Sequence, residues 1–230
     1  MSVVLETDLN DGVIYRTMDT NDVEPVIRLM AEAFFQGEPV TVVAGRATLR
    51  DHKAFCQMYV SRMAVEGHTV LAIDAQTQEV VGAFLNEDFA NVDPPELGSF
   101  VDNSDGEWGP CLCMIEEIEE VLMQRLSIPA VDRPKGKWFH LWMIGVAPAG
   151  RGRGVGTKLA AHSIALARAR GFEIAFAECT GAISTQIMLK QSAEKIAFCD
   201  YSTWTGKNAE TLRGLPALGH EGMSMMLVNL

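Results

Sequence analysis

Apolar residues recur every three or four positions in several segments of the chain, the spacing of a helix with one buried face. The first series follows cap residues at 19–21 and comprises Val23, Ile27, Met30 and Phe34. Similar spacing predicts four more helices, over 48–65, 111–126, 157–170 and 184–195.

Other apolar runs are shorter and predict β-strands, at 13–16, 69–73, 80–85, 138–146, 172–177, 196–204 and 223–230. A polar turn at 74–79 joins two of them in a hairpin. The almost continuously apolar 138–146 is typical of a central strand buried on both faces. A glycine-rich turn and a helix link it to 172–177, which predicts a parallel crossover unit. The predicted fold class is α/β, a mixed sheet with antiparallel N-terminal strands, a parallel central pair and flanking helices.

Length and composition fit a single domain over 1–230. The chain has 230 residues, of which 48% are hydrophobic and 21% charged, as in ordinary globular proteins. No uncharged apolar stretch approaches the ~18 residues of a membrane span. The start of the chain carries acids and is unlike a secretory signal. We therefore expect no membrane association.

Acidic residues are concentrated in one part of the chain. The formal net charge is −11, and 86–120 holds eleven acids and no Lys or Arg. The excess disfavours nucleic-acid binding, which depends on Lys and Arg, and is compatible with a small cationic substrate. A solvated acidic loop and helix face is the simpler explanation. The Pro- and Gly-containing segment 86–109 is predicted to be a long acidic loop insertion, of a kind that often forms lids or binding segments.

The five cysteines are an odd number and lie among apolar neighbours. Free buried thiols in a reducing compartment explain them best, which predicts a cytoplasmic protein. Cys111 and Cys113 are too close together and too isolated for a zinc site. We expect no metal cofactor.

The turn at 150–157 carries the clearest chemical signal. Alternating glycines let backbone N–H groups approach a ligand, and the start of the following helix attracts anions. Arg151 and Arg153 add guanidinium groups suited to phosphate oxygens. The spacing fits neither the dinucleotide fingerprint nor, with the order Gly156-Thr157-Lys158, a Walker loop. A pyrophosphate-bearing ligand explains these features, and a flexible turn that binds nothing is the alternative.

At these positions the chain resembles the GCN5-related N-acetyltransferase (GNAT) superfamily, whose signature is Gln/Arg-x-x-Gly-x-Gly/Ala; here Arg151-x-x-Gly154-x-Gly156 follows Val146-x-Pro148. The resemblance covers most of 13–230 and implies the GNAT fold, with a coenzyme-binding core at about 138–198. It implies acetyl-CoA as cosubstrate, with the pantetheine arm along the strand and the pyrophosphate on the turn. The implied cofactor-binding residues are Ile144, Gly145, Val146, Arg151, Gly152, Arg153, Gly154, Val155, Gly156 and Thr157.

A narrower resemblance is to the insect arylalkylamine N-acetyltransferases, which include dopamine N-acetyltransferase. The segment 34–39 is similar to their Phe-Phe…Glu-Pro segment, and 179–184 is similar to their Cys-Ser-x-x-x-Ser segment. This resemblance implies that Glu38 is the general base and that Thr180 and Ser184 are catalytic hydroxyl residues near the thioester. Thr180 stands where that group has serine.

The end of the chain departs from the superfamily pattern. The superfamily often has a tyrosine after its last helix that protonates the departing thiolate, and Ala193 occupies that position here. Ser184, Thr180 or solvent would then supply the proton.

Other residues are weaker candidates. Glu178, at the carboxyl end of a predicted strand, is a second possible base. His140 is predicted to be a core histidine and His162 a surface or packing residue. Tyr201 could replace the missing acid, but it lies past the usual position.

We therefore expect an acetyl-CoA-dependent N-acetyltransferase that acts on a small primary amine of the arylalkylamine or polyamine type by direct attack. Alkylamines are protonated at neutral pH, so a base must remove a proton. Glu38 beside Phe34 and Phe35 suits that role if it is buried, and it could instead be a surface acid at a helix end. A non-catalytic acetyl-CoA-binding module and an acetyltransferase for a protein's terminal amine are the alternatives. We expect a monomer or homodimer.

Overall fold

A computed structural model of the chain describes residues 2–8, 11–44, 47–91, 93–102, 109–127 and 133–230. Within these ranges eight strands form one sheet: β1 (Val4–Asp8), β2 (Val13–Thr17), β3 (Val70–Asp74), β4 (Val80–Asp88), β5 (Trp138–Val146), β6 (Ile174–Cys179), β7 (Glu194–Asp200) and β8 (Gly222–Asn229). The strand order is β1-β2-β3-β4-β5-β6-β8-β7. β5 and β6 are parallel, and the other neighbours described are antiparallel. The predicted mixed α/β sheet with a parallel central pair is confirmed.

Seven α-helices lie in the same described ranges: α1 (Val23–Gly37), α2 (Pro39–Ala44), α3 (Leu49–Glu66), α4 (Leu97–Asp102), α5 (Gly109–Arg125), α6 (Val155–Ala169) and α7 (Ala182–Leu189). None of these helices is both long and apolar enough to cross a membrane. Four of the five predicted helices agree with these bounds to within a few residues. The short α2 and α4, and the edge strand β1, were not predicted.

The predicted helix over 184–195 is wrong in its second half. α7 ends at Leu189, and Ser192 then adopts a φ of +60°, a conformation that an α-helix does not contain. The backbone N–H of Ala193 donates to the carbonyl of Met188 at 3.2 Å. The chain then enters β7, whose pairing with β8 outweighs the local helical pattern.

The prediction of a loop over 86–109 is also wrong in part. Residues 86–88 continue β4, and 97–102 form α4, while 92 and 103–108 lie outside the described residues. Asn86, Glu87 and Asp88 are buried. Part of the acidic excess therefore lies inside the protein, where each carboxylate needs a partner.

Helices cover both faces of the central sheet, and alternate residues of the strands face them. Val70 and Ala72 of β3 pack in one core cluster with residues of α6. Leu71 and Ile73 pack on the opposite face with α1 and α3. A third cluster joins α5 to β6, β8 and the segment 201–215. These layers hold the central strands firmly on both sides, and the site lies where the two parallel strands part.

Candidate active site

β5 and β6 are paired at one end and separate at the other. Residues 138–140 of β5 pair with Ile174–Phe176 of β6, and the parallel ladder stops there although both strands are described in full. β5 stays paired with β4 as far as Val146, and β6 with β8 as far as Cys179. A cavity of about 440 Å³ lies at the divergence. Its wall also includes residues of α1, α2, α5 and α7.

A bulge in β5 lies beside this cavity. Trp142 is an extra residue relative to β4, because β5 advances by two residues where β4 advances by one. Bulges bend a strand and re-aim its groups, and they occur often beside active sites. Beyond the bulge, Ile144, Gly145 and Val146 line the cavity. A Cβ atom at Gly145 would lie 2.8 Å from the Met30 sulfur, so glycine is needed here for α1 to pack on β5.

The glycine turn after β5 has the backbone that an anion-binding loop requires. Gly152 and Gly154 both have a φ of +75°, which residues with a Cβ adopt only at a cost. α6 begins at Val155 without a side-chain cap on its N-terminus. Its first-turn N–H groups lack partners within the helix and carry the positive end of the helix dipole.

Gly156 connects this turn with the cavity. A Cβ atom there would meet the Ile187 side chain at 3.1 Å and those of Ile144 and Val146 at 3.7 and 3.8 Å. All three neighbours line the cavity. A ligand with a diphosphate at the start of α6 and an arm along β5 therefore fits the residues present.

The two arginines of the turn differ in their surroundings. Arg151 lines the cavity, and its Nε donates to the Val146 carbonyl at 3.3 Å. Arg153 points the other way: its guanidinium donates to the carbonyls of Asp11 and, at 3.2 Å, Ala149. Arg151 is thus the better placed of the two for a ligand in the cavity.

Glu38 lies between α1 and α2 and is buried. Its Oε2 accepts a hydrogen bond of 2.6 Å from the backbone N–H of Thr41. Its Oε1 is also buried and has no hydrogen-bond partner in the described part of the chain. Glu38 lines the cavity, so the reading as a surface acid is wrong.

The two predicted hydroxyl residues also line the cavity. The Ser184 hydroxyl donates to the Gly181 carbonyl at 3.0 Å, which fixes the start of α7. The Thr180 carbonyl accepts a 2.7 Å hydrogen bond from the Tyr201 hydroxyl. Burial raises the pKa of Tyr201 far above its usual value. Tyr201 therefore supports the Thr180 backbone and is unsuited to replace the acid that is missing at Ala193.

His140 and Glu178 form a buried ion pair next to the cavity. His140 Nε2 and Glu178 Oε2 are 2.8 Å apart, and His140 Nδ1 lies 3.4 Å from Glu87 Oε1. The imidazole stacks on Phe176 with ring centroids 4.9 Å apart. On its far side Glu87 forms an ion pair with Arg62. His140 is a core histidine as predicted, and it is held between two carboxylates.

The ion pairs set the protonation of this cluster. Burial alone would lower the pKa of His140, but Glu178 and then Glu87 raise it to about 10. Burial alone would raise the pKa of Glu87, but His140 and Arg62 hold it below its usual value. Burial, and the nearby Glu178, raise the pKa of Glu119 to about 7. His140 is therefore an imidazolium at neutral pH.

The comparisons with known proteins bear on this arrangement. Residues 79–185, which include β5, the glycine turn, α6 and Glu178 to Ser184, match the model of the Acetyltransferase (GNAT) family. Over these residues, which make up less than half of the chain, the protein is similar to the GNAT acetyltransferases. Its class of enzyme is therefore acyltransferase, and the resemblance stated from the sequence is confirmed. No curated protein sequence matches the chain.

Solved structures share the acetyltransferase fold over nearly the whole chain. Arylalkylamine N-acetyltransferase 2 from Aedes aegypti is 20% identical with a TM-score of 0.76, covering 94% of this chain and 98% of that one. The Drosophila melanogaster polyamine N-acetyltransferase, which forms N-acetylagmatine, is 19% identical with a TM-score of 0.70, covering 95% and 100%. The C-terminal condensation domain of Ebony, solved with beta-alanyl-dopamine, is 14% identical with a TM-score of 0.74, covering 95% and 99%. At these identities the likeness establishes the fold.

Several residues of the acetyltransferase cavity were not found from the sequence. Cys111 of α5, Trp142 and His220 line it, and His220 Nδ1 accepts from the Ala182 N–H at 3.3 Å. The helical period of α5 puts Cys111 on one face with Ile115, a signal that could have indicated a shared surface. His220 lies in an irregular segment, and no local pattern marks it.

The remaining candidates lie elsewhere in the acetyltransferase. His162 Nε2 is 3.0 Å from Glu6 Oε2, and the ring packs against Tyr15, so it is a packing residue as predicted. All five cysteines are free thiols, of which Cys56 and Cys179 are buried. The described residues contain no group of three or more side chains able to hold a metal ion.

Proposed function

We propose that the protein is an acetyl-CoA-dependent N-acetyltransferase that acetylates a small primary amine of the arylalkylamine or polyamine type, with Glu38 as general base. One observation carries the proposal. Glu38, Thr180 and Ser184 line the same cavity as the free end of β5, at the point where β5 and β6 part and the glycine turn begins. These are the groups that direct attack on a thioester requires.

Acetyl-CoA, when bound, supplies the acetyl group as a thioester. In this proposal the backbone of Ile144, Gly145 and Val146 pairs with its pantetheine arm. Backbone N–H groups from Gly152 to Thr157 bind its pyrophosphate, and Arg151, which lines the cavity, adds positive charge near it. Holding both reactants in attack geometry contributes about 7–11 kcal/mol of the barrier reduction.

The acceptor ammonium must lose a proton before it attacks. The unpaired Oε1 of Glu38 accepts that proton. A backbone N–H near Val146 stabilises the negative charge that develops on the carbonyl oxygen. Thr180 or Ser184 donates a proton to the departing sulfur. The Ser184 hydroxyl donates to the Gly181 carbonyl, so it must rotate to do so, whereas the Thr180 hydroxyl has no hydrogen bond to give up among the described residues.

The proposal also covers the cellular compartment, the oligomeric state and the partner of the enzyme. We infer a cytoplasmic protein, because the five cysteines are free thiols. A monomer or a homodimer would satisfy the proposed mechanism, since one chain supplies each group named above. The partner is a small amine, for which the acidic surroundings of the cavity provide an attractive field.

Release of free thiol from acetyl-CoA in the presence of a panel of amines tests the proposal. We expect turnover with at least one small primary amine, and we expect Glu38→Gln to lower kcat/KM by about 100-fold or more. Glu32→Gln is the matched control, because Glu32 lies on α1, the helix that ends just before Glu38, but is exposed and outside the cavity. It should retain full activity.

The other outcomes separate the alternatives. Tight coenzyme A binding without thiol release for any amine would favour a non-catalytic binding module. A strong preference for peptides with a free terminal amine over small amines would favour a protein-directed acetyltransferase. Turnover that Glu38→Gln leaves unchanged would remove Glu38 from its role while retaining the enzyme.

A further inference from the structure

Glu178 lies at the cavity, and the proposed mechanism gives it no task. Its side chain is 2% exposed, and the residue lines the same cavity as Glu38. Oε2 is bound by His140, but Oε1 has no hydrogen-bond partner among the residues that the structure describes. A buried carboxylate oxygen without a donor is costly. The cavity that Glu178 lines is the direction from which a donor can come.

The surroundings of Glu178 hold it in place. His140 on the neighbouring strand is flanked by Glu178 and Glu87, and Arg62 binds Glu87 on the outer side. The stacking of His140 on Phe176 restricts the imidazole further. A carboxylate tied to such a row of alternating charges is fixed in orientation. A carboxylate with a fixed orientation is suited to binding a cation in a defined position.

Carboxylates outnumber cations in this part of the protein. Around His140 lie the carboxylates of Glu66, Glu87 and Glu178, together with Glu119, whose pKa of about 7 leaves it partly protonated at neutral pH; the cations here are His140, Arg62 and Arg133. Glu38, which lines the same cavity as Glu178, adds a further carboxylate. Both Glu38 and Glu178 raise the pKa of the Cys111 thiol, after the larger effect of burial. Cys111 therefore lies within the field of both carboxylates and stays neutral, so it adds no charge of its own to this part of the cavity.

We propose that Glu178 is a specificity-determining residue, whose free carboxylate oxygen binds a second cationic group of the acceptor while Glu38 deprotonates the reacting amine. This inference rests on the proposed function and narrows it. The acceptor it selects is a short diamine, or an amine with a guanidinium group. His140 and Glu87 are positioning residues for Glu178.

The rest of the cavity wall fits the middle of such an acceptor. Phe34, Phe55, Leu112, Ile115 and Trp142 line it and are apolar. An apolar spacer between two cationic ends would bury its methylene groups against them, at about 0.8 kcal/mol per methylene. A monoamine of the same length would make these contacts but leave Glu178 without a donor.

The test compares 1,4-diaminobutane with butylamine, which differ by one terminal amine. For the wild-type enzyme, kcat/KM for the diamine should exceed that for butylamine by about 30-fold or more, since loss of one partner of a buried ion pair has effects of this size. In Glu178→Gln this preference should fall to within about 3-fold, mainly through KM for the diamine. Calorimetric titration of the protein with 1,4-diaminobutane, in the presence of coenzyme A, should show the same loss of affinity without any turnover.

Glu119→Gln is the matched control. Glu119 belongs to the same acidic cluster but does not line the cavity, so its loss should keep the diamine preference. Glu87→Gln should weaken the preference partially, because His140 then loses one of its two carboxylate partners and holds Glu178 less firmly. Retained coenzyme A binding shows that each variant is folded.

Three outcomes would overturn the assignment. Equal kcat/KM for the diamine and butylamine in the wild-type enzyme would do so without any variant. An equal loss for both acceptors in Glu178→Gln would assign Glu178 to the reacting amine instead. An unchanged calorimetric affinity in Glu178→Gln would remove the contact. Absence of thiol release with every amine would contradict the proposed function, and the calorimetric result would still decide the role of Glu178.

Discussion

The ionisable residues in the core explain how a strongly acidic chain can fold around a polar site. Glu178, His140, Glu87 and Arg62 alternate in charge from the cavity to the surface. Removing His140 would leave the buried carboxylate of Glu178 without its ion-pair partner, which costs several kcal/mol. The buried ion pairs therefore contribute to the stability of the folded protein as well as to the site.

The protonation of His140 gives a direct prediction. Its folded pKa of about 10 exceeds the ordinary value of 6.5, so the protonated ring stabilises the native state. That contribution is complete below about pH 6.5 and is lost as the pH rises through about 10. Urea unfolding should show a decline of a few kcal/mol across this range.

Magnetic resonance of the histidine rings checks the same prediction. At pH 8 the His140 ring should be doubly protonated. His162 serves as the internal control, because burial lowers its pKa below the usual value, and its ring should be neutral. A neutral His140 ring at pH 8 would contradict the ion-pair account.

At the level of elements, the site depends on where two parallel strands stop pairing. β5 and β6 share three residue pairs and then separate, and α6, the crossover between them, begins at the point of separation. The N-terminus of α6 therefore supplies an anion-binding site next to the cavity. Gly156, in the first turn of α6, lies against the cavity-lining side chains of Ile144, Val146 and Ile187.

Substitution of Gly156 tests this connection. Gly156→Leu should weaken coenzyme A binding by about 30-fold or more, because its side chain would occupy the space beside Ile144, Val146 and Ile187. The helix itself should tolerate leucine, which has a higher helix propensity than glycine. Gly214→Leu is the control, since a Cβ atom at Gly214 meets nothing within 4 Å. Equal binding by both variants would place the coenzyme elsewhere.

Many of the strands, turns and helices that form the site could be predicted from the sequence, because local patterns of residues determine them. The buried strand 138–146, the glycine turn and the helix after it depend on neighbouring residues, and they were found together with Glu38, Thr180 and Ser184. The end of α7 could not be found, because the pairing of β7 with β8 decides it. The partners of His140 could not be found either, since Glu178 and Glu87 meet it only across neighbouring strands.

Acidic and basic residues are distributed unevenly over the whole molecule. The formal net charge is −11, yet Arg151, Arg153 and the start of α6 form the surroundings of the glycine turn. An anionic coenzyme would therefore meet a local positive site on an acidic protein, while the carboxylates of Glu38 and Glu178, which line the cavity, would favour a cationic acceptor.

Calorimetric titration with coenzyme A and with pantetheine, which lacks the diphosphate, is the most direct test of the central claim. If the turn at 150–157 binds the diphosphate while the arm lies along β5, coenzyme A should bind and raise the unfolding temperature. Pantetheine should then bind at least about 30-fold more weakly, because it loses the charge-assisted hydrogen bonds at the start of α6. Equal affinity for the two compounds, or no binding of coenzyme A, would contradict the account.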